Sequence, residues 1–167
     1  MTRIIKRTAA LLLSVVMLCA MVTSCGDEAE EISMYDLHKA LVAYTGAPDN
    51  MKYVSSNDQN PADLLANVSD IEYSKVKDFF ICYAADGQGN ADEIVAIQVK
   101  KKSDLNEAAA SLKAHLEVRK TLYSTYDKTQ LPKLNKAKVF TRGTLAILMV
   151  SDSSDKMEAA FYEFFKK

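Results

Sequence analysis

Few residues in this chain are of types that could do chemistry. Beyond residue 24 there are two histidines, His38 and His115, and two thiols, Cys25 and Cys82. A nucleophile-base pair or a zinc site would need more of these types, or a coincidence of placement. No HExxH, GxSxG, phosphate-loop or dinucleotide fingerprint occurs. No catalytic residue and no cofactor is therefore expected, and the chain reads as a non-enzyme. His38 falls beside the apolar stripe of a first helix and His115 borders that of a longer one, so both read as helix-surface histidines. Cys82, inside an apolar strand, reads as a small filler.

Two clusters stand out. The stretch from Ala85 to Glu93 carries Asp86, Gln88, Asn90, Asp92 and Glu93, oxygen donors at alternating positions with glycines between them, a spacing that calcium loops also use. Asp86, Asn90 and Asp92 are the weak metal candidates, against a solvated hairpin as the plainer reading. In the second cluster, Arg119 interrupts an apolar helical stripe where Leu or Ala is expected, and an Arg there needs a partner. Glu93 or Glu117 is the candidate, with Tyr123 and Tyr126 nearby. Glu93, Arg119, Tyr123 and Tyr126 form either a fold-specifying polar contact or an anion-binding pocket. Lys100, Lys101 and Lys102 read as a solvated turn that, beside a membrane, could touch anionic head groups.

The N-terminus carries the strongest signal. Arg3, Lys6 and Arg7 precede an apolar core from Ala9 to Met21, and Val22-Thr23-Ser24-Cys25 follows, the pattern of a bacterial lipoprotein processing site. Cys19 fails the same test because bulky Leu18 precedes it. The apolar run falls short of the roughly 20 residues a spanning helix needs and lacks a stop-transfer flank. Residues 1–24 are thus expected to be a signal peptide, Cys25 the lipidated first residue, 25–32 an acidic tether and 33–167 one α+β domain. Acyl chains of the palmitate kind contribute about 0.8 kcal/mol per buried CH2, so several of them hold firmly. The expected address is the extracytoplasmic face of the cell membrane. The leader takes three basic residues, which leaves 18 basic against 22 acidic side chains. That balance argues against nucleic acid. With Cys19 removed and Cys25 acylated, Cys82 has no disulfide partner, so stability must come from packing.

The elements that must position these residues follow from periodicity. Ser33 and Asp36 open a helix over 33–45 with Met34, Leu37, Leu41 and Tyr44 on one face. Residues 47–59 read as a loop with a short extended piece. Asn60-Pro61 starts a two-turn helix capped by Asn60. Lys77 to Ala84 and Glu93 to Lys100 read as a hairpin of strands. Asp104 and Glu107 open a long helix to about Tyr126, striped by Leu105, Ala108, Ala109, Leu112, Leu116, Tyr123 and Tyr126. Pro132 falls in a loop, a second hairpin turns at Gly143, and Asp155 with Glu158 opens a last helix striped by Met157, Ala160, Phe161, Phe164 and Phe165.

The predicted fold class is α+β: an antiparallel sheet from two successive β-β-α units with helices packed on it, preceded by an N-terminal helix. Both alternating sets in Phe79 to Ala84 and in Leu145 to Val150 are apolar, so both sheet faces must be covered. The N-terminal helix and the segment after it are the favoured cover for the second face, another molecule the alternative. A shift of 51 residues lays Ile94–Ala109 on Leu145–Ala160 with six identities in 16 pairs. Duplication and convergent capping chemistry both account for this.

On four stretches the chain resembles a family of uncharacterised lipoproteins of Gram-positive bacteria built around a domain of unknown function. They are Ala91-Asp92-Glu93-Ile94-Val95; Glu117 to Arg119 with Tyr126; Leu134-Asn135-Lys136-Ala137; and Val150-Ser151-Asp152. The family's second hairpin carries a Gly-Asn-Tyr type turn, where this chain has Gly143-Thr144-Leu145, so any role of that Tyr lacks a counterpart. The resemblance implies a fold and no activity.

The expected function is a membrane-anchored binding or assembly module of the cell envelope. Its partners would be the membrane, through the acyl anchor, and an unknown protein or small ligand. A structural or regulatory subunit of a membrane complex is the alternative, and an envelope enzyme using His115 or Glu93 ranks last.

Overall fold

The computed structural model describes residues 31–85 and 89–166. Val22, Thr23, Ser24 and Cys25, together with Asp86 and Gln88 of the loop, lie outside the described residues. No helix among the described residues is long and apolar enough to cross a membrane.

Among the described residues five strands form one antiparallel sheet: β1 (Met51–Ser55), β2 (Val76–Ala84), β3 (Glu93–Val99), β4 (Lys138–Arg142) and β5 (Leu145–Val150), in the order β1-β2-β3-β5-β4. The helices are α1 (Met34–Val42), α2 (Pro61–Ala66), α3 (Leu105–Tyr126), α4 (Leu131–Asn135) and α5 (Ser154–Phe164). The α+β class and the N-terminal helix are as the periodicity implies. The extended piece within 47–59 is a full edge strand, β1, paired with β2 from Met51↔Ala84 to Ser55↔Phe80. The segment around Pro132 is a short helix, because Pro at the second helical position has no N–H to lose from the intrahelical ladder.

The caps vary. Ser33 accepts a hydrogen bond from the Asp36 amide at 3.3 Å, as a helix-start pair should. Asn60 makes no such side-chain bond; it takes φ 54°, a left-handed conformation that Asn tolerates better than most residues. Gly143 takes φ 59° at the first of two central positions between Arg142 and Leu145. A positive φ there is the mark of the tight hairpin turns that match strand twist.

Strand alternation sorts the core into two layers. Phe79, Ile81, Val95, Ile97, Leu148 and Val150 pack with Leu105, Ala108, Leu112 and Leu116 of α3, Leu65 of α2 and Leu134 of α4. Phe80, Cys82, Ile94, Ala96, Ile147 and Met149 pack with Met34, Leu37 and Leu41 of α1 and Met157 and Phe161 of α5. The second face is thus covered from within the chain, by the first and last helices. Each fully buried Leu, Ile or Phe contributes about 2 kcal/mol of transfer free energy.

The helices of the two β-β-α units therefore lie on opposite faces. The 51-residue shift superposes strand faces correctly, placing Val99 on Val150 and Ile97 on Leu148, all in one layer. It sets buried Leu112 of α3 on exposed Glu163 of α5. The strands share a pattern and the helices do not; at the helix starts neither Asp104 nor Ser153 makes a side-chain capping hydrogen bond, and the shared Glu107 and Glu158 pair with Lys75 and Lys138.

Candidate functional site

Glu93 is the first residue of β3, on the same face as Val95 and Ile97, and is 5% exposed. Across from it α3 presents His115, Arg119 and Tyr123, spaced by four and so stacked along one side of the helix. His115 Nε2 lies 3.0 Å and Arg119 Nη1 2.7 Å from the same carboxylate oxygen, Glu93 Oε2. The guanidinium carbon lies 5.5 Å from the centre of the Tyr123 ring, whose hydroxyl donates to the Asn90 carbonyl at 3.2 Å. Burial by itself pushes the Glu93 carboxyl up. The hydrogen bond from His115 and the charge of Arg119 outweigh burial and hold it below the usual carboxylate value. The carboxylate is therefore ionised, charge-balanced and fixed in place.

One residue earlier, Asp92 is fully buried beyond the strand end and clasps the two layers together. Its Oδ2 accepts from the Gly46 amide at 2.5 Å, just past α1 on one face. Its Oδ1 lies 2.8 Å from Lys133 Nζ, on α4 of the other. The same ammonium donates to Asn90 Oδ1 at 2.8 Å. The loop oxygens of Asn90 and Asp92 thus converge on a cation supplied by the chain. Among the described residues no group of three or more His, Cys, Asp or Glu could hold a metal ion.

A cavity of about 320 Å³ opens beside the Glu93–His115 pair. Val54 of β1, Leu64 and Val68 of the α2 segment, Ile81 and Tyr83 of β2 make apolar walls, and Lys52 and Asn67 complete the lining. Lys52 Nζ lies 6.0 Å above the Tyr83 ring. A few convergent polar groups in an apolar cleft make the usual form of a small-molecule site. A wider groove of about 640 Å³ between α1 and α5 is lined by Ala40, Tyr44, Ala160 and Phe164 with Lys156, Glu163 and Lys166. It contains no buried polar group comparable to Glu93.

The structure brings Glu93, Arg119 and Tyr123 together. It leaves Tyr126 80% exposed at the end of α3, away from them, and pairs Glu117 with Lys120 at 2.7 Å. His115 belongs to the cluster and is no surface residue. Its spacing of four from Arg119 and eight from Tyr123 is the signal that reveals it. His38 is half-buried among rings, 4.5 Å from Tyr53 and 5.7 Å from Phe80 between centroids, and burial lowers its pKa. Cys82 is buried without a disulfide, and burial, then the Glu93 charge, pushes its thiol up to about 12.

No curated protein and no solved structure matches the chain. A family model matches residues 49–151, a stretch that contains the whole sheet and every residue of the Glu93 cluster and the cavity, and leaves α1 and α5 outside. The chain belongs to the family described as a domain of unknown function (DUF4358).

Proposed function

We propose that this protein is an acyl-anchored binding module of the cell envelope whose ligand site is the cavity beside Glu93 and His115. The ligand is a small amphipathic anion. The observation that carries this reading is the combination of apolar walls, a carboxylate neutralised from behind by Arg119, and a lysine at the rim. Glu93 and Arg119 cancel, so Lys52 leaves the site with net positive character, and Val54, Leu64, Val68 and Ile81 favour an apolar body. The anchored address is supported by the processing pattern that ends at Cys25.

Isothermal calorimetry of the mature protein with octanoate tests the site. Saturable binding that weakens in Lys52→Gln and disappears in Leu64→Trp, which fills the cavity, is the expected outcome. Heats that are absent, or equal in all three proteins, would refute it. Mass spectrometry of the mature N-terminus tests the anchor, which requires a diacylglyceryl thioether on Cys25.

A second reading, a subunit of a membrane complex, is favoured by one feature. Val118, Leu122 and Tyr126 follow each other by four along the outer side of α3 and are 67%, 50% and 80% exposed. Such a stripe on one helix suits a protein partner. Crosslinking of the acylated protein in its own membrane, with probes at Leu122, distinguishes this reading from a free-standing binder.

A further inference from the structure

The sheet has two unlike ends. At one end lie the first residues of β2, the last of β3 and the turn between β4 and β5, as the pairs Val76↔Val99 and Arg142↔Leu145 and the Val99 amide to Thr144 carbonyl bond of 2.9 Å require. The described chain enters at this same end, since Glu31 lies 2.9 Å from Lys77 on β2. At the other end lie Lys52, Tyr83 and Glu93, around the cavity. β2 has nine residues, so the two ends are separated by about 26 Å.

The entry end carries a run of three exposed lysines. Lys77, Lys100, Lys101 and Lys102 are exposed there, with Arg142 across the turn, its guanidinium carbon 3.8 Å from the centre of the Phe165 ring. Lys100 Nζ donates to the Ser74 carbonyl at 2.7 Å, which holds its charge at the edge of the sheet. Carboxylates share this end: Glu31 meets Lys77, Glu107 is held by Lys75 at 2.8 Å, and Glu72 and Asp104 stand near Lys75. Lys101 and Lys102 are exposed on the connection into α3. Asp78 adds a carboxylate beside Lys77 and the tether carries Asp27, Glu28 and Glu30, so the positive charge is local to the Lys100–Lys102 turn.

We infer that the Lys100–Lys102 end of the domain rests on anionic lipid head groups, and that the cavity is presented away from the bilayer, toward the envelope space. The inference builds on the anchored reading above. Cys25 precedes Glu31 by six residues, a contour of at most about 21 Å, shorter than the sheet is long. The entry end is therefore held near the membrane surface, and the Lys100–Lys102 turn matches anionic lipid there. An aqueous ligand then reaches the cavity from the side opposite the lipid.

The test uses the mature acylated protein on vesicles of phosphatidylcholine alone and of phosphatidylcholine with phosphatidylglycerol, with amine acetylation read by mass spectrometry. On the anionic vesicles Lys101 and Lys102 lose reactivity several-fold, high salt restores it, and Lys52 reacts alike on both surfaces. Lys101→Glu with Lys102→Glu exposes Lys100 and Lys77 while the protein stays vesicle-bound through its acyl chains. Equal reactivity of Lys101 and Lys102 on both vesicles, or protection of Lys52 instead, overturns the orientation. Failure to float with the neutral vesicles overturns the anchor itself, and the orientation with it.

Discussion

Arg119 Nη1 stands 2.7 Å from Glu93 Oε2, with both side chains almost wholly shielded from solvent. The pair joins the start of β3 to the C-terminal half of α3. A buried pair of this kind stabilises little compared with apolar residues of equal volume, but removing one partner strands the other. Arg119→Met should therefore cost about 3 kcal/mol or more in chemical denaturation, and Glu93→Gln a comparable amount. The double variant should recover much of the loss. Additive losses in the double variant would show that the two charges do not act as a pair.

The same pair sets a pH dependence. The folded state holds the Glu93 carboxyl below its ordinary value of 4.5, so the unfolded chain binds the proton more readily. The contribution of Glu93 is complete above about pH 4.5 and is lost as pH falls through the folded value. The stability gap between the native protein and Glu93→Gln should narrow as pH falls from about 4.5 through the folded value. A gap independent of pH over that range would rule out this linkage.

His38 acts in the same direction for a different reason. Burial, then the Lys39 charge, lowers its pKa below 6.5, and its buried Nδ1 has no hydrogen-bond partner. Its contribution is complete above 6.5 and is lost as pH falls below that value toward the folded one. His38→Phe, among Tyr35, Tyr53 and Phe80, should raise stability by about 1 kcal/mol, more at pH 5.5 than at pH 7.5. A loss of melting temperature at both pH values would contradict this.

Gly46 gives a steric test. A Cβ at this position would stand 3.0 Å from Asp92 Oδ2, and that carboxylate is fixed by the Gly46 amide and Lys133. Gly46→Ala should cost about 1–3 kcal/mol by overpacking. Gly46→Ala with native-like stability would mean that the Asp92 clasp yields easily.

Cys82 should resist alkylation in the folded protein, because its thiol is buried and raised to about 12. Labelling by iodoacetamide should follow global unfolding in urea. Fast labelling under native conditions would place the thiol in an accessible site.

The strands were legible because apolar runs such as Phe79 to Tyr83 admit no other burial. The need to cover both sheet faces followed from the same residues. β1 was harder to see: five residues that include Lys52 and Ser55 give little alternation, and its place is fixed by pairing with β2. Which face each helix takes was not legible either. Leu112 and Phe161 mark apolar stripes equally well, and only the connections send α3 and α5 to opposite sides of the sheet. At the site, Arg119 announced itself by breaking a stripe. Glu93 was one of two candidate partners read from the sequence, and His115 sits one helical turn from Arg119, but the cavity walls from Val54 and Leu64 join residues far apart in the chain, for which no local spacing exists.

The most direct test of the central claim is an amide and methyl NMR titration of the mature protein with octanoate. Saturable shifts that cluster on Lys52, Val54, Leu64, Val68, Ile81 and His115 and vanish in Leu64→Trp are expected. Shifts that never saturate, that cluster in the groove between α1 and α5, or that persist unchanged in Leu64→Trp would contradict it.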